Sequence, residues 1–130
     1  MKHDVPKIML VEEDATLADI TAFRLELLGY QVQQVHTAEA ALEQVAQSQP
    51  DLLILDLFLP GIGGLELVGR LKSDSATAAL PLLVFSVDAD LNTVAKAHEA
   101  GADDYLVTPY DPAVLEGKIE KLLSRSHTAV

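Results

Sequence analysis

Short apolar runs and amphipathic stretches alternate along the whole chain. Lys7-Ile8-Met9-Leu10-Val11 is a mainly apolar run that stops at three acids, and a stretch from about Ala15 to Leu28 follows it, closed by the helix-stopping Gly29. The order is strand, acidic loop, helix. Gln31 to Val35 alternates polar and apolar residues, and Thr37 can cap a helix through Ser48 whose apolar face is Ala38, Ala41, Leu42 and Val45. After Pro50-Asp51, Leu52-Leu53-Ile54-Leu55 is apolar at every position, as in a strand covered on both faces, and it ends at Asp56. A loop with Pro60, Gly61, Gly63 and Gly64 leads to a helix from about Leu65 to Lys72. Pro81 to Phe85 is a fourth apolar run, ending at Ser86, before a helix from about Asp88 to Ala100 that stops at Gly101. Tyr105-Leu106-Val107 ends at Thr108-Pro109, and Asp111-Pro112 opens a last helix through about Leu123.

Five strand-helix repeats with short connections predict an α/β domain: a doubly wound, flavodoxin-like parallel sheet of five strands, order 2-1-3-4-5, with helices on both faces. In the first helix Leu17, Ile20, Phe23, Leu27 and Leu28 form the expected apolar arc, with Arg24 inside it. A cation there is read as snorkelling, without a function.

Composition narrows the classes. A chain of 130 residues, 49% hydrophobic, can bury roughly two-thirds of its extended surface in one core, taken here as residues 5–124 with a tail over 125–130. The absence of Cys removes disulfides, thiolate zinc sites and thiol nucleophiles, and His3, His36, His98 and His127 are too scattered for a ligand motif. Nine Lys and Arg against twenty Asp and Glu give a net charge of −11, and no Lys or Arg falls between Arg24 and Arg70. Direct nucleic-acid contact is therefore not expected, and most of the acids read as solvated surface. No segment has the roughly 18 apolar residues of a membrane span, nor does the N-terminus have a secretory leader's apolar core, so a cytoplasmic place is expected.

In an open parallel sheet, ligands bind beyond the carboxyl ends of the strands. Those ends carry Glu12, Glu13 and Asp14, then Asp56, Ser86 and Thr108. The expected strand order brings Glu12, Glu13, Asp56 and Ser86 into one pocket, where clustered carboxylates raise one another's pKa and call for a cation. An all-oxygen set suits Mg²⁺ or Mn²⁺ better than zinc. Asp14 reads more simply as an N-cap.

KIMLVEED, PDLLILDLFLPGIGGLEL, PLLVFS and AGADDYLVTPYDP together resemble the receiver domain of two-component response regulators over about Val5 to Leu123. The resemblance implies that Asp56 accepts a phosphoryl group from a phosphohistidine of a sensor kinase or phosphotransfer protein. It implies that Glu12 and Glu13 hold Mg²⁺ beside Asp56, with the Phe58 carbonyl as a backbone ligand. Ser86 matches the hydroxyl that bonds the phosphoryl group, and Tyr105 the aromatic whose inward or outward rotamer reports that event. A cis peptide is implied at Thr108–Pro109, and an output face on the fourth helix, fifth strand and fifth helix, here with Leu91, Val94, His98, Tyr105, Tyr110 and Lys118. A protein target is expected there, and a homodimer is compatible with it.

Two residues depart from the family. Thr108 stands where the family has a Lys that pairs with the acceptor, and Glu13 where Asp is usual, one methylene longer. The leading expectation is a single-domain phospho-acceptor that modifies only itself and signals by protein contact, the sequence after the fifth helix carrying no output domain. The alternative is a pseudo-receiver that binds partners without phosphorylation. A haloacid-dehalogenase-type phosphatase would want a second Asp where Phe58 stands, and a flavin binder a Ser/Thr/Gly-rich loop where the three acids stand. A longer regulator, cut within Ser124 to Val130, is a further expectation.

Overall fold

The computed structural model describes residues 5–128. Five strands, β1 (Lys7–Val11), β2 (Gln31–Val35), β3 (Leu52–Asp56), β4 (Leu82–Ser86) and β5 (Asp104–Val107), alternate with α1 (Ala15–Leu27), α2 (Ala38–Gln47), α3 (Gly63–Ser73), α4 (Leu91–Ala100) and α5 (Pro112–Thr128). The strands are parallel in the order β2-β1-β3-β4-β5. The expected architecture and order are those observed.

Alternation along the strands sorts the core into two layers. Met9, Val11, Leu53, Leu55, Leu82 and Val84 face one side, packed with Ala41 and Val45 of α2, Leu67 and Leu71 of α3 and Ala97 of α4. Ile8, Leu10, Leu52, Ile54, Leu83 and Phe85 face the other, against Leu25 of α1 and Leu115, Ile119 and Leu122 of α5. Burial on both faces explains why β3 and β4 read as unbroken apolar runs.

Most boundaries lie within a residue or two of expectation. Three differences have a local cause. α3 begins two residues early, because Gly63 (φ +81°) turns straight into the helix. α4 begins only at Leu91, since Asp90 caps it through a bond from the Asn92 N–H (2.8 Å). α5 continues one turn past Leu123, to Thr128.

The first helix corrects the sequence reading. It buries Ala18, Ala22 and Leu25, whereas Leu17, Phe23 and Leu27 are 52%, 61% and 71% exposed. Its apolar residues lie all round the helix, so periodicity could not choose a face. Packing chose the small one: alanines at 18 and 22 let the backbone come close to the sheet.

One lysine ties the far end of the sheet together. Lys72 donates to the Leu80 carbonyl (2.8 Å) and to Asp103 (2.9 Å), and the same Asp103 oxygen accepts the Leu82 N–H (2.8 Å). These bonds link the end of α3 to the starts of β4 and β5.

The entry to α3 is also tightly built. A methyl group at Gly64 would lie 2.5 Å from the Leu57 carbonyl oxygen and 2.9 Å from that of Asp56, both backbone atoms. Gly64→Ala is therefore expected to cost about 1–3 kcal/mol in urea unfolding. Gly69→Ala on the same helix, with nothing within 4 Å of the added carbon, should be stabilising by about 0.5–1 kcal/mol.

Candidate functional site

The strand order reverses between β1 and β3, and the two ends that meet there are acidic. Val11 pairs in register with Leu55, which brings Glu12 and Asp56 out of the sheet side by side. Both are partly buried and line one cavity of about 480 Å³, together with Ser86, Thr108, Arg24 and Tyr110. Phe85 and residues of α1 complete its wall.

Burial raises the Glu12 carboxyl above its usual 4.5, the hydrogen bond it accepts from the Asp14 N–H (3.1 Å) pulls it partly back, and the charges of Asp56 and Asp14 raise it again. The neighbouring Asp56 carboxylate thus disfavours the charged form of Glu12 when no cation is bound. Asp56 accepts from the Phe58 N–H (3.1 Å), which turns one carboxylate oxygen toward the β3–α3 loop.

The expected acidic trio is divided. Glu13 is exposed and lines a neighbouring cavity of about 570 Å³ with Phe58, Asp88, Thr93 and Lys96. Consecutive residues leaving a strand end diverge, and no group of three or more acids or histidines among the described residues is gathered as a metal site. Asp14 has the capping role, accepting the Leu17 N–H (3.0 Å). The donor set that fits a hard cation is thus two carboxylates, Glu12 and Asp56, with the adjacent Phe58 carbonyl. Mg²⁺ needs no more, since it commonly keeps several waters beside one or two carboxylates.

Ser86 is 2% exposed, and its hydroxyl oxygen accepts the Asp88 N–H (3.0 Å). Asp88 caps its own loop, accepting from the Asp90 N–H (2.8 Å) and the Thr93 hydroxyl (2.9 Å), and these bonds hold its carboxyl below the ordinary range. Tyr105 is buried, and its hydroxyl donates to the Asp88 carbonyl (2.7 Å). The aromatic therefore occupies its inward position. Thr108 bonds through its backbone to the Ser86 carbonyl (2.8 Å), and the Thr108–Pro109 peptide is cis. Lys118 is occupied with Asp104 (3.0 Å).

Other expected surface residues separate. Leu91 is 82% exposed, Val94 packs partly into the core, and the His98 ring lies 3.2 Å from the Ala102 carbonyl. Tyr110 belongs to the Asp56 cavity instead: it accepts a hydrogen bond from Arg24 (3.1 Å), and its ring meets Phe85 at 5.4 Å. Arg24 is the residue that sequence reasoning passed over. Its signal was the spacing Leu17, Ile20, Thr21, Arg24, one helix face rising from the acidic strand end.

The raised Glu12 carboxyl has a stability consequence. A folded-state pKa above the unfolded one means that the folded protein holds the proton more tightly, so stability falls as pH rises from about 4.5 through the folded value. Glu12→Gln should therefore raise the melting temperature at pH 7, with the gain vanishing below pH 4.5. An equal melting temperature at pH 7 in thermal scans would contradict the carboxylate conflict.

The sequence profile of the response regulator receiver domain matches residues 8–120. The chain is 33% identical over 122 residues to the DNA-binding dual master transcriptional regulator RpaA of Synechocystis sp., covering 94% of this chain and 51% of that protein. It is 31% identical over 119 residues to the phosphate regulon transcriptional regulatory protein PhoB of Pseudomonas aeruginosa, covering 92% and 52%. The chain thus spans about half the length of these curated relatives. A crystal structure assigned as a response regulator from Chloroflexus aurantiacus superposes with a TM-score of 0.89 at 33% identity, covering 93% of this chain and 99% of that one. The chain belongs to the response regulator receiver domain family.

Proposed function

We propose that this chain is a phospho-acceptor: Asp56 takes a phosphoryl group from a phosphohistidine of a sensor kinase or phosphotransfer protein, and the change is passed on by protein contact. The observation that carries the reading is the pairing of Glu12 and Asp56 at the switch point of the sheet, with the Ser86 hydroxyl in the same cavity. The relatives support it, since both are named as regulators of transcription and both continue well beyond the matched region. The protein modifies itself and turns over no separate substrate.

Two carboxylates would repel an anionic donor. Glu12, Asp56 and the Phe58 carbonyl would hold a Mg²⁺, which would supply the neutralising charge that lets a carboxylate act as nucleophile. Asp56, which lines the cavity, would attack the phosphorus of the donor. Ser86 has a hydroxyl hydrogen to donate to a phosphoryl oxygen, because its oxygen accepts from Asp88. Thr108 offers a neutral hydroxyl and no charge.

One observation favours a second reading, a binding module indifferent to phosphate. Tyr105 already lies inward, bonded to the Asp88 carbonyl. Partner affinity measured with and without beryllofluoride separates the two, a steep rise supporting the switch and an unchanged value the module.

Incubation with acetyl phosphate and Mg²⁺ should add one phosphate by intact mass, absent in Asp56→Asn. No adduct would overturn the acceptor reading. Thr108→Lys should speed labelling by about 10²-fold or more, the scale of a single preorganised donor at such a centre. Chelation of Mg²⁺ should abolish it.

A further inference from the structure

The Asp56 cavity has an unusual charge balance. Its lining carries two carboxylates, and the cation among its lining residues is Arg24, contributed by α1. The fifth strand contributes Thr108, which is neutral. We infer that Arg24 is the residue that binds the anionic phosphodonor for transfer to Asp56, so the cation of this site comes from the first helix and not from the fifth strand. The inference rests on the reading of Asp56 as phospho-acceptor.

Arg24 is exposed, and its contacts with Tyr110 orient it without neutralising it. Its Nη1 donates to the Tyr110 hydroxyl at 3.1 Å, and its guanidinium carbon lies 5.7 Å from the centre of the Tyr110 ring. That ring in turn leans on Phe85, the register partner of Asp56 in the sheet. A continuous chain of contacts therefore runs from the acceptor's own strand pair to the guanidinium. Arg70, Lys72, Lys118 and Arg125 are each paired with a carboxylate. Among the described residues, no ion pair occupies Arg24, which keeps donors for an incoming anion.

The surroundings favour an anion with a small apolar body. Leu17, Ile20, Phe85 and Pro109 also line the cavity that Arg24 shares with Glu12 and Asp56. A charge-assisted hydrogen bond from Arg24 to an anion is stronger than one between neutral groups. An acyl phosphate fits this layout, with phosphoryl oxygens toward Arg24 and phosphorus toward Asp56. In the transfer, a bond forms between an Asp56 carboxylate oxygen and phosphorus while the bond from phosphorus to the acyl oxygen breaks. The carboxylate product leaves with that electron pair, and no oxidant or reductant is needed.

The test follows Asp56 labelling against acetyl phosphate concentration, with Mg²⁺ present, by intact mass. Arg24→Ala should raise the half-saturating concentration, or lower the second-order rate constant, by about tenfold or more. Arg24→Lys should recover part of it, and Tyr110→Phe should show a smaller loss. Labelling by the wild type should weaken with added salt, and the Arg24→Ala slope should be flatter, which a merely structural defect would not produce. In a Thr108→Lys background the Arg24→Ala loss should shrink, because the strand then supplies a cation. Unchanged labelling in Arg24→Ala, or an equal loss in both backgrounds, would overturn the inference while leaving the acceptor reading intact. Absence of any wild-type label that Asp56→Asn removes would overturn the acceptor reading and this inference together.

Discussion

Two carboxylates are held against each other at the one place where the sheet reverses its order, and much of the molecule is arranged around that conflict. The register of β1 with β3 sets Glu12 beside Asp56, and partial burial disfavours the charged form of Glu12. Nothing in the surrounding packing can relax this, because both strands are sealed above and below by apolar layers. The repulsion is a built-in demand for positive charge. The stability lost there is what makes the site responsive to a cation or an anion-neutralising partner.

The rest of the cavity differs in how rigidly it is held. The floor is strand, with Ser86 fixed by β4 and Asp56 by β3, whereas the walls come from α1 and four loops. Arg24 joins these two parts through Tyr110 and Phe85. The cation thus reaches the site across a helix-to-sheet contact, and its position depends on how α1 sits. That helix touches the sheet through Ala18 and Ala22, whose small side chains leave its larger apolar residues facing outward.

The architecture was legible because the strand signal is strong where both faces are buried. Leu52-Leu53-Ile54-Leu55 admits few other readings, and its acidic terminus located the centre of the site. The face of α1 was not legible, since its apolar residues surround the axis and the choice fell to backbone approach. Strand order brings Glu12 and Asp56 to one cavity, while Glu13 lines the neighbouring one, because adjacency in sequence does not report the direction in which two side chains leave a strand end. Tyr110 was expected on the face of the fourth helix, fifth strand and fifth helix, and its place in the cavity was not legible because its partners Arg24 and Phe85 lie 86 and 25 residues away in the chain.

Tyr105 carries a consequence for dynamic range. Its hydroxyl bonds the Asp88 carbonyl, and Asp88 also holds Ser86, Asp90 and Thr93, so the inward aromatic and the ordered loop stabilise each other without any added charge. A two-state element can be driven upward only by the share of molecules still in the other state. If half the population is inward at rest, modification can at most double it. A large response would then have to come from steps that empty the inward state, such as a partner that binds the outward ring, and the gain of this receiver would be set by how well it is switched off.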